Sequence, residues 1–177
     1  TLDPLATGLL VICTGKMTKE INAFVLDSKE YTGVIQLGAT TPSYDLETEI
    51  DATFPTGHID QDLVNQVIPQ FSGTIKQVPP IYSAKKVDGK RAYDLARKGI
   101  EVELKENEIT IIDLELNLVD NNQITFKVNC GKGTYIRSLA NDIGKALNSG
   151  GHLIELRRTR SGRFTSHDAK SVEQWVE

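Results

Sequence analysis

The 177-residue chain is short of cysteine, histidine and methionine, and each scarcity excludes something. Cys13 and Cys130 stand far apart with no Cys-x-x-Cys pair. A disulfide framework or zinc site is therefore not expected, and a reducing cytoplasm is the expected setting. His58, His152 and His167 show no ligand spacing, so no metal is expected. No Gly-x-Ser-x-Gly elbow is present to suggest hydrolytic serine chemistry. No apolar run approaches the roughly 20 residues of a membrane-spanning helix, and the first residues do not read as a signal peptide. Internal repeats, low-complexity tracts and Pro/Ser-rich linkers are also missing. The one methionine is Met17, and the chain opens at Thr1 inside a motif. The expectation is a piece whose N-terminal part is missing.

What is present is a chain long enough to bury a real core in one large domain, roughly 70% of its unfolded surface. Its net charge of −4 argues against bulk attraction to nucleic acid, but the charges are unevenly spread. Asp45, Glu47, Glu49, Asp51, Asp60 and Asp62 form an acidic stretch. Lys85, Lys86, Lys90, Arg91, Arg97 and Lys98 form a basic one, and Arg157, Arg158, Arg160 and Arg163 a second. Local patches decide phosphate binding; each cluster alone is as consistent with a solvated face.

Hydrophobic spacing predicts a helix over Gly8 to Leu26 capped by Thr7, and a strand over Lys29 to Leu37, where Tyr31, Gly33, Ile35 and Leu37 alternate with polar residues. Thr40 to Gly57 reads as turns and Asp60 to Phe71 as a helix. Thr74 to Val87 reads as extended chain, since Val78-Pro79-Pro80 forbids helix. Asp88-Gly89 signals a hairpin, and Arg91 to Lys98 a short helix closed by Gly99. Strands follow near Ile109 to Leu118 and Ile124 to Cys130. Thr134 to Leu147 is helical by spacing, His152 to Phe164 a strand, and Ser171 the cap of a last short helix. The fold class is α+β: a mostly antiparallel mixed sheet flanked by helices, with a basic insertion at about 79–99.

Asp3 precedes Pro4 and the expected helix entrance at Thr7-Gly8, a place that favours a charged carboxylate. By composition alone it is more readily a turn residue. The surrounding run Thr1-Leu2-Asp3-Pro4-Leu5-Ala6-Thr7-Gly8-Leu9-Leu10 resembles the G-T-L-D-P-x-A-T-G-x-L catalytic motif of the bacterial TruB family of tRNA pseudouridine synthases. In the same order, Lys29-Glu30-Tyr31 resembles the family's K-x-Y motif, and Pro80-Ile81-Tyr82-Ser83-Ala84-Lys85-Lys86 its P-x-Y-S-A-x-K stretch. Ala92 to Gly99 resembles the next piece of its RNA-binding insertion. Lys132-Gly133-Thr134-Tyr135-Ile136-Arg137 resembles K-G-T-Y-I-R, and Leu153-Ile154-Glu155-Leu156-Arg157-Arg158 resembles L-x-x-L-R-R.

That resemblance implies a pseudouridine synthase catalytic fold over residues 1–177, lacking its N-terminal part and without a PUA domain. The implied reaction converts the T-loop uridine of tRNA, position 55, to pseudouridine. No cofactor, membrane or obligatory protein partner is implied; the partner is the tRNA T arm. Asp3 is the implied nucleophile, Tyr31 the residue stacking on the flipped base, Tyr135 a second aromatic able to hold a proton, and Arg137 the partner of Asp3. Leu156 is implied to pack on the uracil, and Lys19, Lys85, Lys86 and Arg157 to contact RNA. On spacing alone Leu156 is core, Tyr31 an ordinary strand aromatic, and Tyr135 and Arg137, two apart at a helix start, cannot share a face. The family's Lys-Pro-x-Gly motif and upstream histidine do not occur in these residues. This motivates the alternative of a non-catalytic tRNA-binding or folding module. A guide-dependent, dyskerin-like relative is a weaker alternative.

Overall fold

A computed structural model describes residues 2–83, 85–87, 90–93, 104–120 and 122–176, with Leu26, Lys86, Val87, Lys90, Arg91 and Val176 described by their backbone alone. In chain order the strands are β1 (Thr7–Gly8), β2 (Lys29–Leu37), β3 (Ala39–Thr40), β4 (Ala52–Thr53), β5 (Gly73–Gln77), β6 (Lys86–Val87), β7 (Lys90–Arg91), β8 (Asn107–Asp120), β9 (Gln123–Cys130), β10 (Gly151–Ser161) and β11 (Phe164–Thr165). The helices are α1 (Ile21–Leu26), α2 (Gln61–Val67), α3 (Ile136–Ala146) and α4 (Glu173–Val176).

Seven strands form one sheet in the order β1-β10-β2-β9-β8-β5, with β11 paired to β10. Each of these pairings is antiparallel except β1 with β10. The mostly antiparallel α+β architecture expected from the sequence is therefore present. The strand predicted over Lys29 to Leu37 is β2, and its alternation buries Ile35 and Leu37 on the inner face. Ile124, Phe126 and Val128 of β9 join them. Helix α3 lays Ile136, Leu139, Ala140 and Ile143 on that face, at the spacing of one helical side. Helix α2, capped by the Asp60 carboxylate accepting the Leu63 N–H at 2.8 Å, adds Val64 and Val67.

Two strands break the period of two, and bulges are the reason. In β8 the buried residues run Ile109, Ile111, then Leu114, Leu116, and the register slips between Ile111 and Asp113. In β10 the inner residues are Leu153, Leu156, Arg158 and Ser161, with slips between Leu153 and Glu155 and between Arg158 and Arg160. An extra residue in one strand turns every later side chain to the other face.

Three expectations need correction. The helix predicted over Gly8 to Leu26 is confined to α1, preceded by a short 3-10 turn at Gly15–Glu20. Gly8 (φ +94°) and Gly15 (φ +56°) hold backbone conformations that no right-handed helix contains. Thr7-Gly8 pairs alongside β10 as a parallel edge strand instead of opening a helix. The strand predicted over His152 to Phe164 divides into β10 and β11 at Gly162 (φ +56°), where Ser161 faces Phe164 across a tight turn. The second basic cluster is divided too: Arg158 lies buried on the inner face, while Arg157 is exposed on the outer one.

Strands β6 and β7 pair with Val87 opposite Lys90, flanking the Asp88-Gly89 hairpin signal. Asp88, Gly89 and most of the helix predicted over Arg91 to Lys98 lie outside the described residues. The final helix begins as a reciprocal cap, with Ser171 N–H donating to the Gln174 side chain at 2.9 Å and Gln174 N–H to Ser171 Oγ at 3.4 Å.

Gly33, at the centre of β2, is where packing tolerates no side chain. A Cβ there would stand 2.1 Å from the Glu155 carbonyl oxygen and 2.8 Å from the Phe126 ring. Gly33→Ala is expected to lower stability by about 1–3 kcal/mol or more, read as a fall in Tm by calorimetry. An unchanged Tm would show that the β2–β10 junction is looser than this geometry.

Candidate active site

Asp3 sits at the start of a turn. Its carbonyl accepts the Ala6 N–H at 3.0 Å, and Pro4 occupies the second turn position, where its fixed φ belongs. The expected helix entrance is not there to stabilise the carboxylate. Its partner is Arg137, in the first turn of α3, whose Nε donates to Oδ2 at 3.0 Å and Nη2 to Oδ1 at 3.3 Å. This two-point grip fixes the carboxylate in a plane. The Arg137 side chain is 6% exposed and that of Asp3 37%. The guanidinium is thus buried beneath a carboxylate that reaches solvent.

The other side of Arg137 is also occupied. Nη1 lies 3.6 Å from Asp45 Oδ2 and donates to the Ser43 carbonyl at 3.3 Å. Asp45 is buried and accepts the Glu47 N–H at 2.9 Å. Its loop is tied to the sheet where Tyr44 O accepts the Leu153 N–H at 2.9 Å. Sequence reasoning set Asp45 within an acidic stretch and missed it as a site residue. Nothing in the local pattern separates it from its exposed neighbours Glu47 and Asp51.

Beyond the N-terminus of α3 the inner face of the sheet continues as an open cleft of about 340 Å³. Asp3, Tyr31, Tyr135 and Leu156 all line it. Leu156 belongs to the hydrophobic core as well, as its spacing alone suggests. Tyr31 faces Arg158 across the strands. Burial pushes its phenol above the ordinary value, opposed by a hydrogen bond and the positive charge of Arg158. Arg158 itself donates Nε to the Leu9 carbonyl at 2.8 Å, binding β1 to β10. Tyr135 precedes α3 in an extended conformation, so it and Arg137 diverge as their spacing requires.

Lys19, Lys85 and Arg157 lie apart from this cleft, whereas Arg158 lines it. Lys19 is exposed at the end of the 3-10 turn, and Arg157 is on the outer face. Lys85 is half-buried and donates to Lys105 O and Asn107 Oδ1 at 3.2 and 2.9 Å. The Lys86 side chain lies outside the described residues. Lys29, another cleft residue not singled out, donates Nζ to the carbonyls of Phe24, Val25 and Asp27 at 3.4, 2.7 and 2.6 Å. It thereby caps the C-terminal end of α1, a cleft wall. Burial draws its ammonium below the ordinary lysine value, with Asp27 opposing.

Cys130, in the cleft floor, is pushed up to about 11 by burial. At pH 8 only about a thousandth of it is thiolate. Iodoacetamide is therefore expected to label half-exposed Cys13 well before Cys130, as read by peptide mass mapping of the native protein. Equal labelling of the two would contradict a closed floor.

With this geometry in place, its relatives can be compared. The TruB family pseudouridylate synthase N-terminal domain matches residues 1–136, and the tRNA pseudouridylate synthase B C-terminal domain matches residues 137–176. Strands from both segments belong to the one sheet. The tRNA pseudouridine synthase B of Phocaeicola vulgatus is 58% identical over 177 residues, all of this chain and 75% of that protein. That of Bacteroides fragilis is 60% identical over 180 residues, covering all of this chain and 77% of its own. Among solved structures, the Cbf5-Nop10-Gar1 complex contains a chain 30% identical with a TM-score of 0.67, over 93% of this chain and 39% of that one. An H/ACA ribonucleoprotein bound to a substrate RNA aligns with a TM-score of 0.57 at 27% identity, over 86% of this chain and 34% of that one. On sequence and architecture together, the chain belongs to the TruB family of pseudouridylate synthases.

Proposed function

We propose that the protein isomerises the T-loop uridine of tRNA, position 55, to pseudouridine, with the Asp3 carboxylate as nucleophile. The observation that carries this reading is the two-point grip of buried Arg137 on Asp3 at the edge of a cleft walled by Tyr31, Tyr135 and Leu156.

The target base must leave its stack, at a cost of a few kcal/mol. Tyr31 offsets part of this as a stacking surface worth about 1–3 kcal/mol, and Leu156 packs on the uracil. Asp3 attacks the sugar C1′ or the base. The N1–C1′ bond breaks, the uracil turns, C5 bonds to C1′, and the bond to Asp3 breaks to return the free carboxylate. The proton leaving C5 is balanced by the one gained at N1, with Tyr135 beside the site to hold or move it. Atoms and electrons balance within the nucleotide, so the step calls for no cofactor. Lys19, Lys85, Lys86 and Arg157 contact the T arm outside the cleft. The enzyme works in the cytoplasm on tRNA without a guide or partner protein. What supports this reading is 58–60% identity to proteins named tRNA pseudouridine synthase B, against 30% to the chain from the Cbf5-Nop10-Gar1 complex.

The test is pseudouridine mapping on a tRNA transcript incubated with the enzyme alone. Asp3→Ala is expected to lower turnover by about a thousandfold or more, and Arg137→Lys by about a hundredfold, since lysine cannot hold a carboxylate at two points. Normal product from Asp3→Ala would end the claim for the nucleophile. Product at another uridine would end the claim for position 55. Tight tRNA binding without product in the wild type would favour a non-catalytic binding module.

A further inference from the structure

Gln77 ends the edge strand β5 and is 3% exposed. A buried amide must satisfy both its donor and its acceptor. Gln77 satisfies both on one residue 58 positions away: its Oε1 accepts the Tyr135 N–H at 2.8 Å, and its Nε2 donates to the Tyr135 carbonyl at 3.1 Å. Tyr135 is the residue that enters helix α3, with φ −98° and ψ +109°. Helix entrances are ordinarily held by a Ser, Thr, Asp or Asn side chain bonding back to the first turn. Tyr135 has no such bond. From within the helix the Leu139 N–H reaches the Tyr135 carbonyl at 3.1 Å, and from outside it the Gln77 amide pairs with both main-chain groups, N–H and carbonyl.

The next residue repeats the contact. Buried Ser138 donates Oγ to the Val78 carbonyl at 2.7 Å, so the end of β5 is fastened to the first turn of α3. Pro79 and Pro80, both fully buried, follow immediately and lead into the basic 79–99 stretch. The same first turn carries Arg137.

We propose that Gln77 is a positioning residue for the reaction: its amide clamps the Tyr135 main chain and so sets where the Tyr135 ring stands against the target base in the cleft. This rests on the reading of the cleft as the pseudouridine-forming site. Gln77 touches no reacting atom and acts only through Tyr135.

Two variants of the intact enzyme separate positioning from mere packing. Gln77→Leu keeps the bulk and removes both hydrogen bonds. Its kcat on tRNA is expected to fall by about tenfold to a hundredfold, with KM changed less than about threefold. Gln77→Glu keeps the acceptor and loses the donor while ionised. As a neutral acid, it regains an O–H that can donate to the Tyr135 carbonyl. Burial raises the pKa of such a carboxyl, so pairing is present at low pH and lost as pH rises. Charges on the elements packed around it are Lys76, in an exposed pair with Glu106 and opposite Glu108 of β8, Lys85 at Asn107, and Arg137, with Asp142 and Lys145 farther along α3. The ratio of Gln77→Glu to wild-type kcat should rise about tenfold between pH 8 and pH 5.5, whereas the Gln77→Leu ratio should stay flat. A wild-type kcat in Gln77→Leu, or parallel pH profiles for Gln77→Glu and wild type, overturns the proposal.

Hydrogen exchange supplies a readout independent of turnover. The Tyr135 amide should lose protection in Gln77→Leu while Leu139 and Ile143 in α3 keep theirs. Unchanged protection at Tyr135 refutes the clamp. Absence of pseudouridine in the wild type refutes the functional reading instead.

Discussion

A positive charge buried under the sheet is the constraint around which this structure is organised. A guanidinium cannot be left unpaired away from water, and removing one partner of a buried pair costs about 3–5 kcal/mol. Arg137 therefore needs a carboxylate within reach from each side. Asp3 comes from a turn near the start of the chain, Asp45 from a loop pinned to β10, and Arg137 from the first turn of α3. Three segments distant in sequence are drawn together by one cation. Of the two carboxylates only Asp3 reaches solvent, so the arrangement presents a single oriented acid to the cleft and keeps its counterweight inside.

Much of the architecture was legible because periodicity and turn chemistry agreed over long stretches. The run from Lys29 to Leu37 alternates cleanly and becomes a strand with those bounds. Asn107–Asp120 and Gln123–Cys130 become paired antiparallel strands, and Ile136–Ala146 a helix with one apolar side. The failures have a common cause. Leu9, Leu10 and Ile12 suggested a helix face, but Gly8 must approach the Arg158 carbonyl so closely that a Cβ would lie 2.3 Å from it. Such contact is decided by a strand 150 residues later, and no local window contains it. The split of β10 from β11 is likewise set by one glycine conformation.

The site was legible in a different measure. The resemblance of the motifs pointed to Asp3, Tyr31, Tyr135 and Leu156, where spacing alone did not, and these residues share the cleft. Asp45 and Gln77 were not readable, because each acts through main-chain atoms or another side chain, and such service leaves no pattern in a single sequence; Lys29 stood in the K-x-Y resemblance, but its capping of α1 did not show. The arginine run at 157–160 was misleading as a cluster. A basic stretch on a strand is not one patch, since alternate residues face opposite ways.

The first bulge of β10 gives Ile154 an importance unrelated to its own chemistry. It is the unmatched residue that puts Leu156 and Arg158 on the inside and Glu155 and Arg157 on the outside. Many side chains could stand at that position without disturbing this order. Deleting the position would leave Leu153, Glu155 and Leu156 opposite Ile35, Val34 and Gly33 as they now stand, whereas keeping the residue and flattening the bulge into regular pairing would exchange the two faces from there onward and turn Glu155 and Arg157 inward. The cleft thus depends on one irregular backbone step as much as on the side chains that line it.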